Sequence, residues 1–161
     1  MTTLPTMKNS RAASIAALLA FATAACDPGF WLTLRQPLRP APDNACVART
    51  LSASRFVSNS VALAENGFGV TLRDEAQRTW SATLELSRPR ADSVRVASIR
   101  YTYLLYARPG PSEEPGMVAA AAGLLRDLRA ACAPESAAAI ECTSQGAPVP
   151  ACAAVREERQ Q

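Results

Sequence analysis

The chain contains no histidine, and Lys8 is its single lysine. Without an imidazole it cannot build a serine–histidine–aspartate or cysteine–histidine catalytic unit, and it cannot bind a metal ion through histidine nitrogens. Serine–lysine chemistry is excluded over the rest of the chain because no second lysine follows. The sequence therefore predicts no catalytic residue, no metal site and no cofactor, and only carboxylates remain as candidate acids and bases.

Aromatic residues and net charge are also scarce. Aromatic side chains make up 6% of the 161 residues, and alanine accounts for much of the 48% apolar content, a length and composition that indicate one domain. From Cys26 onward, fifteen arginines stand against fourteen acidic residues, a balance of +1. Such a chain has no electrostatic footprint for nucleic acid, so nucleic acid is not an expected partner.

A short apolar segment near the N-terminus follows two basic residues. Lys8 and Arg11 precede an apolar run over residues 15–22, and small residues continue to Cys26. A basic region, a short apolar region and small residues before a cleavage site predict a secretory signal peptide over residues 1–25. The apolar run is shorter than the roughly 20 residues of a membrane-spanning helix.

The segment Thr23-Ala24-Ala25-Cys26 resembles the lipobox of bacterial lipoproteins, although Thr23 stands where leucine is typical. The resemblance implies that Cys26 is lipidated with palmitate-type acyl chains and becomes the mature N-terminus. It implies a membrane-anchored protein of the cell envelope that faces the periplasm, with inner and outer membrane both open. The alternative is cleavage after Ala24, which would release a soluble secreted protein.

Setting Cys26 aside leaves an even number of cysteines: Cys46, Cys132, Cys142 and Cys152. Four cysteines in an oxidising compartment predict two disulfides, with three pairings open. We favour Cys46–Cys132, which would clamp two helices, and Cys142–Cys152, which would close a loop near the C-terminus. The C-x-x-C spacing that many zinc sites use does not occur.

The mature chain divides into an anchor, a domain and a tail. Residues 26–42 are predicted to be the lipid anchor and a proline-rich spacer, because three prolines fall within residues 36–42. Residues 43–152 are predicted to form a single α+β domain, and residues 153–161 a polar tail. A short helix is expected from Asp43 or Asn44 through Leu51.

Alternating apolar residues predict an antiparallel sheet in the middle of the chain. Asn66-Gly67 predicts a two-residue hairpin turn that pairs Leu63 with Val70 and Val61 with Leu72, all four on one face. Residues 79–87 alternate cleanly, and residues 94–107 need either a β-bulge near Ala97-Ser98 or burial on both faces. After Pro115, which suits the first turn of a helix, the apolar residues Val118, Ala121, Leu125 and Leu128 recur at helical spacing. They predict an amphipathic helix that ends near Cys132. The predicted fold is a small antiparallel β-meander of about four strands, packed with a short N-terminal and a longer C-terminal helix and stapled by disulfides.

The leading functional hypothesis is a lipid-anchored envelope protein that acts as a non-enzymatic binding, structural or accessory module. Besides the membrane, an envelope protein is its expected partner. Thr71, Arg73, Thr83 and Glu85 are predicted to share the outward sheet face, and Tyr101, Tyr103 and Tyr106 lie close in sequence. Arginine and aromatic groups are favoured at binding surfaces, but the favoured interpretation is a solvated sheet face with the tyrosines packed at its margin.

The alternative hypothesis is a carboxylate-dependent envelope hydrolase acting on cell-wall glycan. Its candidate carboxylates are Asp74-Glu75, Glu85 and Glu113-Glu114. Glycosidase chemistry requires two carboxyl groups held roughly 5 to 10 Å apart in a cleft. A turn and a helix N-terminus account for the acidic pairs without catalysis.

Overall fold

The structure, a computed structural model, describes residues 30–63, 67–87, 94–103, 109–144, 150–153 and 155. In these residues an antiparallel sheet is covered on one face by two helices. The elements are β1 (Phe30–Leu38), α1 (Asn44–Ala53), β2 (Val57–Leu63), β3 (Gly67–Arg73), β4 (Thr79–Ser87), β5 (Arg95–Tyr103), α2 (Glu114–Cys132) and β6 (Glu141–Ser144), followed by a 3-10 turn at Pro150–Cys152.

The sheet has six strands in the order β2-β3-β4-β5-β1-β6, and every neighbouring pair is antiparallel. The predicted α+β class is confirmed, but the prediction of about four strands is wrong. The first strand of the chain inserts beside β5, and the last strand pairs with β1. Both additional strands depend on pairings between distant parts of the sequence, which a local pattern does not reveal.

The predicted spacer is largely part of the domain. Strand β1 continues through Gln36 and Pro37 to Leu38 and pairs with β5 over its whole length. Up to Leu38, the predicted spacer is therefore a strand of the sheet rather than a linker. Strand β6 pairs with β1 only from Leu32 to Arg35. Pro37 therefore lies where β1 has one neighbour, and there the missing N–H of proline is tolerated.

The hairpin between β2 and β3 has a different register from the predicted one. Leu63 pairs with Gly67 and Val61 with Gly69, so Gly67 is a strand residue rather than a turn residue. The shift puts Val61 and Leu63 on the outward face, whereas Val70 and Leu72 remain buried on the inward face. The prediction that all four share one face is wrong, because it assumed a two-residue turn centred on Asn66-Gly67.

Strand β5 is regular. Its register with β1 is continuous from Arg95 to Tyr103, so no bulge occurs near Ala97-Ser98. The alternative, burial on both faces, holds at this point, because Ala97, Ser98 and Ile99 are all buried. A register shift occurs instead in β2, between Val57 and Asn59. Arg95 lies on the inward side of the strand and is buried. Its guanidinium donates to the carbonyl of Pro42 and to the side chain of Asn44, which ties the start of α1 to the sheet.

The two helices pack over the inward face. Asp43 caps α1 by accepting a hydrogen bond from the backbone N–H of Cys46 at 2.6 Å. Helix α2 carries Pro115 in its first turn, which suits a residue without an N–H, and it buries its apolar side against the sheet. Tyr101 reaches from β5 into this layer and donates its hydroxyl to the carbonyl of Met117 at 2.8 Å. Neither helix is long and apolar enough to cross a membrane.

Candidate functional site

The cysteines fall into two groups. Cys26 lies outside the described residues. The other four form disulfides, Cys46–Cys132 with a Cα–Cα distance of 5.9 Å and Cys142–Cys152 with 5.6 Å. These are the same pairs that the sequence analysis favours. The first disulfide joins α1 to the end of α2, and the second joins β6 to the 3-10 turn.

The face of the sheet opposite the helices, here called the open face, carries polar residues and glycines on β3 and β4. Registers place Thr71 and Arg73 of β3 beside Ser81 and Thr79 of β4, with Thr83 and Glu85 farther along β4. The predicted sharing of one outward face by Thr71, Arg73, Thr83 and Glu85 is therefore confirmed. The helices cover the inward face, so the open face is the broad surface that the domain presents.

A row of residues crosses all six strands of the open face. In sheet order it consists of Val61, Gly69, Thr83, Arg100, Thr33 and Thr143. Arg100 stands near its centre, between Thr83 and Thr33, and is exposed. Threonine hydroxyls both donate and accept hydrogen bonds, and the guanidinium carries a fixed charge with five donors. Thr33 is only 5% exposed, so the accessible polar groups of the row are those of Arg100, Thr83 and Thr143, and these can bind a polar or acidic group.

Sequence reasoning missed the members of this row on β1 and β5. Thr33 becomes a neighbour of Arg100 only because β1 inserts beside β5, nearly seventy residues away along the chain. The alternation of Thr33 and Arg35 with buried Leu32 and Leu34 is the signal that could have placed them on one face.

The two tyrosines that the structure describes are packed against the domain, as the favoured interpretation of the sequence expects, and do not form a binding surface on the open face. Tyr101 is completely buried and Tyr103 is half-buried, both on the side of the helices. Burial, and to a smaller extent the neighbouring Tyr103, raises the pKa of Tyr101 well above its ordinary value. Burial, then the charge of Glu113, raises the pKa of Tyr103 to about 12, so both are neutral at physiological pH. Tyr106 lies outside the described residues.

A charged cluster lies where the β3–β4 connection meets the start of α2. Arg78 donates its Nε to Asp74 Oδ2 at 2.8 Å, and the backbone N–H of Arg78 donates to Asp74 Oδ1 at 2.9 Å. The guanidinium lies over the Trp80 ring, 5.5 Å from its centroid. Desolvation alone would raise the pKa of Asp74, but its hydrogen bonds and charge interaction with Arg78 outweigh this and lower it. The cluster contacts α2 at Gly116, where a side chain would overlap it.

A groove with a volume of about 730 Å³ runs between α1 and α2. Its only carboxylate is Asp127, which accepts a hydrogen bond from Ser54 Oγ at 2.6 Å. The rest of its lining consists of two arginines, small residues and one disulfide cysteine: Arg49, Arg55, Thr50, Ala53, Ala130, Ala131 and Cys46.

The candidate carboxylates do not form a glycosidase pair in the groove between α1 and α2 or in the smaller hollow beside Asp74. Asp74 and Glu75 line a smaller hollow of about 330 Å³, but Asp74 is bound by Arg78, and Glu75 lies 3.9 Å from Arg55. Glu85 stands on the open face, and Glu113 accepts a hydrogen bond from the backbone of Gly110. A lowered pKa also makes Asp74 a poor proton donor at neutral pH.

Within the described part of the chain, no three histidine, cysteine, aspartate or glutamate side chains are grouped so that they could hold a metal ion. No protein-family model, curated protein or solved structure matches this chain.

Proposed function

We propose that this protein is a bacterial lipoprotein, anchored through acyl chains on Cys26, and that its domain is a non-enzymatic binding or accessory module of the cell envelope. The observation that carries the proposal is the pairing of the cysteines. Cys46, Cys132, Cys142 and Cys152 partner one another, so none is left to pair with Cys26. A lone cysteine after Thr23-Ala24-Ala25 fits a lipid attachment point.

The disulfides also support an exported domain. Structural disulfides persist in oxidising compartments such as the periplasm and are rare in the cytosol. Multiple acyl chains would anchor the domain stably, because each buried CH₂ contributes about 0.8 kcal/mol. The membrane is thus the first proposed partner, and inner or outer membrane both fit.

The open face supports a second partner, an envelope protein or ligand with polar or acidic groups. Arg100 is exposed at its centre, with Thr83 and Thr33 as cross-strand neighbours. Among the residues that the structure describes, the candidate carboxylates are not arranged as a glycan hydrolase requires, whereas the exposed Arg100 on the open face favours binding.

Replacing Cys26 tests the anchor. Cys26→Ser should move the protein from the membrane pellet to the soluble fraction, because it removes the thiol that would carry the lipid. The matched control is the double variant Cys142→Ser/Cys152→Ser, which also loses cysteines and should stay in the pellet. Pelleting of Cys26→Ser together with the wild type would contradict the proposal.

A photo-crosslinking residue beside Arg100 tests the open face. At position 102, an exposed site on the same face of β5, it should form an adduct with an envelope component, and at position 119, an exposed site on α2, it should not. Equal adducts at both positions, or an adduct at 119 alone, would contradict binding through the open face.

A further inference from the structure

Strand β2 forms one edge of the sheet, and in the described residues it pairs only with β3. An edge strand presents unpaired N–H and C=O groups, and proteins usually protect it with charged residues, proline, a bulge or a short length. The seven residues of β2, Val57–Leu63, include neither a charged residue nor a proline. The bulge between Val57 and Asn59 leaves five regular residues, Asn59 to Leu63.

The edge is also apolar on the open face. Val61 is 57% exposed and Leu63 is 48% exposed, and these are the large exposed hydrophobic residues of the described chain. Their cross-strand neighbours are Gly69 and Gly67, which have no side chain to cover them. Leu63 instead leans over both glycines, since an added Cβ there would lie within 4 Å of the Leu63 side chain.

The opposite edge is different. Strand β6 has only four residues, begins with exposed Glu141 and is tied by the disulfide at Cys142. Short length and charge are the devices that discourage pairing at an edge. The molecule therefore has one protected edge and one edge suited to pairing.

We propose that β2 pairs antiparallel with β2 of a second copy of this chain, across a two-fold axis at Val61. A two-fold axis at Val61 allows all five regular residues, Asn59 to Leu63, to pair with their counterparts, and it leaves the bulge outside the paired region. Ser60 then lies opposite Ala62, and Asn59 opposite Leu63. The Val61 side chains of the two copies face each other, and the Leu63 side chains flank them, so the exposed apolar residues of both copies cover one another.

The charge of the strand favours a second copy as the occupant. A neutral strand offers no counter-charge to an acidic or basic peptide, and two identical neutral strands bring no like charges together. An isologous contact of this kind closes after two copies and does not propagate into a fibre. The joined sheet would have twelve strands, with the two open faces continuous across the axis.

The size of the contact sets its strength. Stable interfaces bury about 1,200–2,000 Å², and five paired residues per copy bury less than this. The dimer should therefore form weakly in dilute solution and more extensively at high local concentration. The proposed lipid anchor would supply that concentration, although the strand pairing itself does not depend on the anchor.

Single-cysteine crosslinking tests the register. Val61→Cys in the full-length protein should give a disulfide-linked dimer under mild oxidation, because opposed Cβ atoms of paired strands are about 4.5–5.5 Å apart. Asn59→Cys is the matched control on the same strand, since two copies of residue 59 would lie about 13 Å apart along the strands. Thr83→Cys is the control on the open face of a central strand. We expect at least a tenfold larger dimer fraction for Val61→Cys than for either control.

A mixture of Asn59→Cys and Leu63→Cys proteins should also crosslink, because these two positions are opposite in the proposed register. Adding Val61→Arg to both should abolish that crosslink by placing like charges on the axis. Equal crosslinking at positions 59, 61 and 83, no dimer at position 61, or a crosslink at 61 to a protein of another mass would each overturn the proposal.

The assay should be run on whichever fraction contains the protein, with the soluble fraction concentrated to about the millimolar range. Crosslinking at position 61 in the soluble fraction would support the pairing while contradicting the anchor. Membrane-bound protein without the crosslink would overturn the pairing and leave the anchor standing.

Discussion

Gly123 marks the closest approach between α2 and the segment that follows α1. A Cβ at this position would overlap the ring of Phe56, so a side chain is excluded by packing rather than by backbone conformation. Phe56 in turn packs against the buried core. The absence of a side chain at Gly123 therefore lets the Phe56 ring pack closely against α2.

Gly123→Ala should destabilise the fold despite the better helix propensity of alanine. The propensity gain is about 1 kcal/mol, whereas overpacking a core costs about 1–3 kcal/mol. We expect a lower free energy of unfolding and a melting temperature reduced by several degrees, measured by circular dichroism. In a Phe56→Leu background the same change should be neutral or stabilising, and a higher melting temperature for Gly123→Ala alone would contradict the close packing.

The hydrogen bonds between Arg78 and Asp74 should make stability depend on pH in the acid range. The pKa of Asp74 is lowered in the folded state, so its contribution is present above the unfolded value of about 3.9 and is lost as pH falls through the folded value. Wild type should be more stable than Asp74→Asn at pH 7, and the difference should shrink below about pH 4. Thermal melts of both proteins from pH 2 to 7 measure this, with Glu75→Gln, an exposed neighbour, as control. A difference that does not change with pH would contradict the role of the ionised carboxylate.

At the scale of elements, the sequence pattern predicted a helix or strand correctly where the pattern of that one segment was sufficient. The alternation over Thr79–Ser87 predicted β4, and helical spacing with Pro115 near the start predicted α2. The predicted β2–β3 register was wrong. It followed the strong turn signal of Asn66-Gly67 and the apolar character of Val61 and Leu63, whereas in the structure the pairing begins at Leu63 and Gly67. Strand β1 was assigned to the predicted spacer because of its prolines. Strand β6 was not predicted because a four-residue strand has almost no periodicity.

The two disulfides should contribute unequally to stability. Cys46–Cys132 spans a sequence separation of 86 residues and Cys142–Cys152 a separation of 10. If the restriction of the unfolded chain dominates, the longer loop contributes about 2 kcal/mol more. Chemical denaturation of Cys46→Ser/Cys132→Ser and of Cys142→Ser/Cys152→Ser should therefore show the larger loss for the first pair. Equal losses, or a larger loss for the second pair, would contradict this ordering.

At the scale of the whole molecule, a two-layer domain protects one face of its sheet and presents the other. The position of the candidate surface was partly predictable, because alternation in β3 and β4 placed Thr71 and Thr83 outward. Its centre at Arg100 was not, because that depends on β1 inserting beside β5.

The proposed lipid anchor on Cys26 is the central claim about the whole molecule, because it would place the domain at a membrane of the cell envelope. The intact mass of the mature protein, purified from its native host, tests it most directly. We predict a chain that begins at Cys26 and carries the added mass of acyl groups on that residue. An unmodified chain that begins at Ala25, after cleavage behind Ala24, would contradict the lipoprotein account and indicate a soluble secreted protein.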